Sequence, residues 1–120
     1  MLRLRNAKDF ERVWREGQSH AHPLVVLVSC RRRPEEGEPA GDSASLPARC
    51  GFVAGKKVGG AVKRNRAKRL LREAVRARQD VLAPGWELVW VARSPLAEAT
   101  LSQVQAAVNQ LLKRANVVNL

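Results

Sequence analysis

A two-layer α+β sandwich, one sheet covered by helices, is the fold class that this sequence predicts. Two observations carry the prediction. Helix-like and strand-like segments follow one another in the order α-β-β-α-β-α, and the helix-like segments carry apolar residues on one face, ready for burial against a sheet. The chain has 120 residues and a hydrophobic fraction of 45%, so residues 1–120 read as a single folded domain rather than a basic disordered tail.

Each element has a local reason. Asn6 caps a first helix that Gly17 stops, and Phe10 and Trp14 fall at i and i+4 with Val13 beside them. The run Leu24–Cys30 (LVVLVSC), inside the segment 22–33, is continuously apolar and β-branched, the pattern of a strand buried on both faces. Residues 34–47 (PEEGEPAGDSASLP) are rich in Pro, Gly, Ser and acids and read as a flexible loop inserted between two strands. Arg49–Ala54 is a second strand, and Gly55 with Gly59-Gly60 punctuates the entry to a helix from about Ala61 to Asp80. Trp86–Arg93 is a third strand. Thr100 and Gln103 match a capping box for a last helix through about Lys113, with Leu101, Val104, Val108, Leu111 and Leu112 as its apolar stripe.

Function is concentrated in the run Lys56–Arg78 (KKVGGAVKRNRAKRLLREAVRAR). It holds ten basic residues against one acid, Glu73, a local +9 within a chain whose net charge is +11. Charge gathered so densely either repels itself or faces a polyanion, which points to nucleic acid. Projected at about 100° per residue, Ala67, Leu70, Leu71, Ala74, Ala77 and Val81 form a core stripe. Asn65, Lys68, Arg69, Arg72 and Arg76 lie opposite, with Arg64 and Arg66 as flanks. Lys56 and Lys57 extend the surface ahead of the helix, and Lys63 adds to it. Guanidinium groups hold phosphates bidentately, lysines act as point charges, and Asn65 offers a donor and an acceptor. The competing reading is a solvated charged face, but solubility is better served by mixed signs. DNA is the alternative polyanion. A helix-turn-helix needs a helix and a tight turn where this chain has a strand and Gly59-Gly60, so RNA is favoured.

Several chemistries are disfavoured. No apolar run approaches the roughly 18–20 residues of a membrane span, and the N-terminus lacks the apolar segment of a secretory signal. Cys30 and Cys50 lie outside any CxxC spacing, read as core or strand-end residues, and fit a reduced cytoplasmic chain. His20 and His22 read as surface residues rather than metal ligands. Glu35, Glu36, Glu38 and Asp42 cluster only in the loop, where geometry is not held, while Asp9, Glu11 and Glu16 read as surface charges among Arg12 and Arg15. No catalytic residue and no metal site is assigned to the protein. Phe10 and Trp14 read first as core, since aromatic pairs at helical spacing usually pack. Trp86 and Trp90 read as core or strand-edge packing.

Residues 51–74 (GFVAGKKVGGAVKRNRAKRLLREA) resemble the signature of the protein component of bacterial ribonuclease P, with Arg64, Asn65 and Arg66 as its Arg-Asn-Arg core and Lys68, Arg69 and Arg72 as the basic residues that follow. Residues 3–17 resemble the family's first helix and residues 88–95 its strand leading to the last helix. The resemblance covers nearly all the chain except the 34–47 loop. It implies a central, mainly antiparallel sheet in α-β-β-β-α-β-α order, with a left-handed βαβ crossover through the basic helix where the general chirality rule predicts a right-handed one.

The resemblance also implies a cytoplasmic ribonucleoprotein in which a catalytic RNA subunit, using Mg2+ bound mainly by the RNA, removes the 5′ leader from precursor tRNA with no further protein required. Lys56, Lys57, Lys63, Arg64, Asn65, Arg66, Lys68, Arg69 and Arg72 would face the catalytic RNA. Phe10 and Trp14 would border a cleft that guides the leader. Two positions depart from the family pattern: Gly60 stands where an Asn is common, and Leu27 about where some members carry a leader-stacking tyrosine. A ribosomal protein or RNA chaperone is the alternative function.

Overall fold

The structure is a computed structural model in which residues 2–34 and 43–118 are described. Most of the 34–47 loop, including Glu35, Glu36, Glu38 and Asp42, lies outside the described residues. The elements are β1 (Leu2–Arg3), α1 (Ala7–Glu16), β2 (Gln18–Ala21), β3 (Val25–Arg31), β4 (Arg49–Ala54), α2 (Ala61–Arg76), β5 (Trp86–Ala92) and α3 (Leu101–Ala115). Short 3-10 turns at Lys56–Val58 and Ser94–Glu98 precede α2 and α3, and another at Gln79–Val81 follows α2.

Apart from the two-residue β1, this is the α-β-β-β-α-β-α order that the resemblance implied. The residue pattern alone omitted β2 because Gln18–Ala21 is a mostly exposed edge strand with no apolar alternation. The local signals at both outer helices hold. The Asn6 side chain accepts from Lys8 N at 2.9 Å, and Thr100 and Gln103 form the reciprocal capping box. Asn116, in the left-handed conformation at φ 56°, ends α3.

The five strands run in the order β1-β4-β5-β3-β2. The sheet is mixed rather than purely antiparallel: β1/β4 and β4/β5 are parallel, β5/β3 and β3/β2 antiparallel. The reason is connectivity, since β4 reaches β5 through α2 and not through a hairpin.

Side-chain alternation then sorts the two faces. Leu27, Cys50, Leu88 and Trp90 point into the larger core under α2 and α3, while Val28, Cys30 and Val89 pack beneath α1 with Leu4 and Val13. Leu27 is fully buried in the α2/α3 core. Leu27 thus faces away from α1, and the period of two puts its neighbours Val26 and Val28 on the α1 face. Trp90 is wholly core, whereas Trp86 is half-buried and carries the Arg31 guanidinium 4.1 Å from its ring centroid.

Cys30 and Cys50 are both buried and unpaired with each other. Burial pushes the Cys50 thiol up to about 12 from 9.0. The neutral thiol is favoured in the folded state, so this contribution to stability is complete below pH 9 and is lost as pH rises toward 12. Cys50→Ala is expected to flatten the alkaline limb of the stability curve measured by urea unfolding. The native chain should leave Cys50 unalkylated at neutral pH; labelling without unfolding would contradict its burial.

Candidate nucleic-acid interface

Basic helix α2 docks through Ala67, Leu71, Ala74 and Val75, all buried. Relative to the predicted stripe the buried face is rotated toward Val75. Ala77 is exposed, because the helix ends at Arg76 and Ala77 is its C-cap. This rotation decides where the cations point. Arg64, Lys68 and Arg72, spaced i, i+4, i+8, form a half-buried row along one edge, and Asn65, Arg69 and Arg76 stand exposed beside it. Lys56 and Lys57 are exposed on the 3-10 turn ahead of the helix. That turn closes at Gly59, whose φ of 138° only glycine adopts easily. Gly60 is the N-cap of α2, and a Cβ there would meet nothing within 4 Å, so the backbone leaves open space for a side chain at this position.

Two of the predicted cations lie on the other flank and are held by protein. Arg66 Nε donates to the Ala97 carbonyl at 2.9 Å, and Lys63 Nζ lies 3.2 Å from Glu98 in an exposed pair. They steady α2 against the Ser94–Glu98 turn. Val62, 84% exposed, adds an apolar contact point on the first turn of α2. Its signal in the sequence was a β-branched residue off the core stripe.

On the opposite face, α1 rests on Val13, which is fully buried. Phe10 is half-buried against Leu4 and β4, and glycine at 51 makes room for it: a Cβ there would lie 2.5 Å from Phe10 Cζ. Trp14 is 49% exposed. The pair thus splits, one ring packed at the edge of the core and the other free. Beside them Val26, Val53 and Val91 remain only partly buried, a shallow apolar strip on the sheet.

Across α1 from the aromatic pair, Arg12 is not a surface charge. Its guanidinium pairs with Glu87, which is fully buried and also accepts from Arg49 at 2.7 Å and from the Arg33 backbone N–H at 3.2 Å. Asp9 reaches Arg49 at 3.6 Å. Sequence reading missed this network. Its signal was a lone acid inside the otherwise apolar strand 86–92, which requires a buried cation.

The histidines are separate: His20 lies on edge strand β2, and His22 Nδ1 accepts from Leu24 N at 3.0 Å in the following turn. Among the described residues no group of three or more His, Cys, Asp or Glu is placed to hold a metal ion, and no helix is long and apolar enough to cross a membrane.

The family model described as Ribonuclease P matches residues 1–116. The ribonuclease P protein component of Roseiflexus castenholzii is 42% identical over 117 residues, covering 97% of this chain and 87% of the relative. That of Herpetosiphon aurantiacus is 38% identical over 115 residues, covering 96% and 85%. Among solved structures, the Staphylococcus aureus RNase P protein superposes with a TM-score of 0.80 at 28% identity over 99% of both chains. The Thermotoga maritima RNase P protein gives 0.75 at 29% identity, over 95% of this chain and 97% of that one.

Proposed function

The chain belongs to the ribonuclease P protein family, and from that membership we propose that it binds the catalytic RNA of ribonuclease P and assists removal of the 5′ leader from precursor tRNA in the cytoplasm. The observation that carries the reading is the family match across residues 1–116 together with the Arg-Asn-Arg helix on the surface of α2. In this reading the RNA performs the hydrolysis. Arg64, Lys68, Arg69 and Arg72 neutralise phosphates that would otherwise repel one another where catalytic RNA meets substrate, which lowers the Mg2+ required. Mg2+, in this reading, is bound mainly by the RNA.

The strip formed by Phe10, Trp14 and the partly buried valines supports leader binding. Single-stranded bases stack on such rings for about 1–3 kcal/mol each. Trp14 is the cleaner probe, because its exposure leaves stability within about 0.5 kcal/mol on truncation. Trp14→Ala is expected to weaken the holoenzyme's preference for precursor over mature tRNA, read from the two dissociation constants, at unchanged melting temperature. Phe10→Ala should lower both the preference and the melting temperature. Equal affinity changes for precursor and mature tRNA would remove the aromatic strip from leader recognition.

A further inference from the structure

A cleft of about 880 Å³ opens beside the first half of α1, on its Arg12 flank, between β1, the start of β4 and residues 33–34. Seven basic residues and one acid, Asp9, line it. Its floor is rigid: Arg12 and Arg49, 7% and 2% exposed, are both fixed by the buried Glu87. The rim differs. Arg33 and Arg15 lie near Glu16, at 3.0 and 3.8 Å, but Arg3, Arg5 and Lys8 are exposed and form no ion pair among the described residues.

The cleft is not part of the two surfaces already described. It lies on the face of the sheet opposite α2 and across α1 from Phe10 and Trp14. Unpaired like charges gathered on one rim repel one another, at a cost that a polyanion relieves by releasing its counterions. The cleft is too open and its cations too many for a single small anion, and the partner already proposed for this chain is RNA.

We propose that this cleft is a second RNA-phosphate site, in which Arg3, Arg5 and Lys8 contact the backbone while Glu87 holds Arg12 and Arg49 in place beneath it. The inference rests on the ribonuclease P reading and deepens it. Basic surfaces on opposite faces of one sheet let the protein bridge two RNA segments, with α2 on one and the cleft on the other.

The test is the salt dependence of binding for Arg3→Gln/Arg5→Gln/Lys8→Gln, with the single exposed substitution Lys8→Glu as a second probe that leaves β1 intact. One arm titrates the catalytic RNA alone. The other titrates precursor tRNA into the preformed holoenzyme, with mature tRNA as the reference. The triple variant is expected to lower the log-log salt slope by about two units, at roughly 0.7–0.9 per phosphate contact. A fall with catalytic RNA alone assigns the phosphates to that subunit, and a fall confined to precursor assigns them to the leader. Slopes unchanged in both arms for both variants overturn the site. Stimulation of precursor cleavage by the wild-type chain is measured alongside. If it is absent while the slope still falls, the ribonuclease P reading fails and the RNA site stands.

Discussion

Glu87→Ala is expected to destabilise the protein by about 3–5 kcal/mol, a large share of the roughly 5–15 kcal/mol that holds a domain of this kind folded. Glu87 is fully buried and accepts from two guanidiniums and one backbone N–H, so its loss leaves Arg12 and Arg49 as like charges under α1. Both elements that the network joins carry proposed function. Arg12 comes from α1, which presents Phe10 and Trp14, and Arg49 opens β4, which leads into Lys56 and Lys57. Urea unfolding of Glu87→Ala and Glu87→Gln measures the effect, with the isosteric amide expected to lose less. A loss below about 1 kcal/mol for alanine, the range of an exposed pair, would show that the network does not secure α1.

The second large effect is on RNA binding. Arg69→Ala/Arg72→Ala is expected to weaken association with the catalytic RNA and to lower its log-log salt slope by about 1.4–1.8 units, one phosphate contact per arginine. These positions are preferred to Arg66, because Arg66 is bonded to the Ala97 carbonyl and its truncation would mix a folding effect with a binding one. Filter binding or fluorescence titration across a salt series reads the slope. An unchanged slope would take this edge of α2 out of the interface.

How far the sequence disclosed this molecule depended on whether a feature is local. Asn6, Thr100 and Gln103 act within one turn of their own backbone, so the starts of α1 and α3 were legible residue by residue. Likewise strand β4 has the boundaries its apolar run suggested. The orientation of α2 was legible only approximately, because a wheel of 3.6 residues per turn cannot foresee where tertiary packing draws the stripe; Val75 turned inward and Ala77 became a cap. Edge strand β2 carries no burial pattern of its own and is defined by pairing with β3.

The Arg12–Glu87–Arg49 network was hidden for a stronger reason. Its members are separated by 75 and 38 positions and meet only once α1 lies on the sheet. The aromatic pair shows the same limit, since spacing alone places Phe10 and Trp14 together but cannot say that one packs over Gly51 while the other faces solvent.

The central claim is that this chain supports an RNA catalyst rather than cutting RNA itself. Its most direct test is cleavage of a 5′-extended precursor tRNA at low Mg2+, with the catalytic RNA present or absent and the protein added or withheld. The expected result is efficient removal of the leader only when both are present. Cleavage by the protein alone, or RNA-dependent cleavage that the protein leaves unchanged, would contradict it.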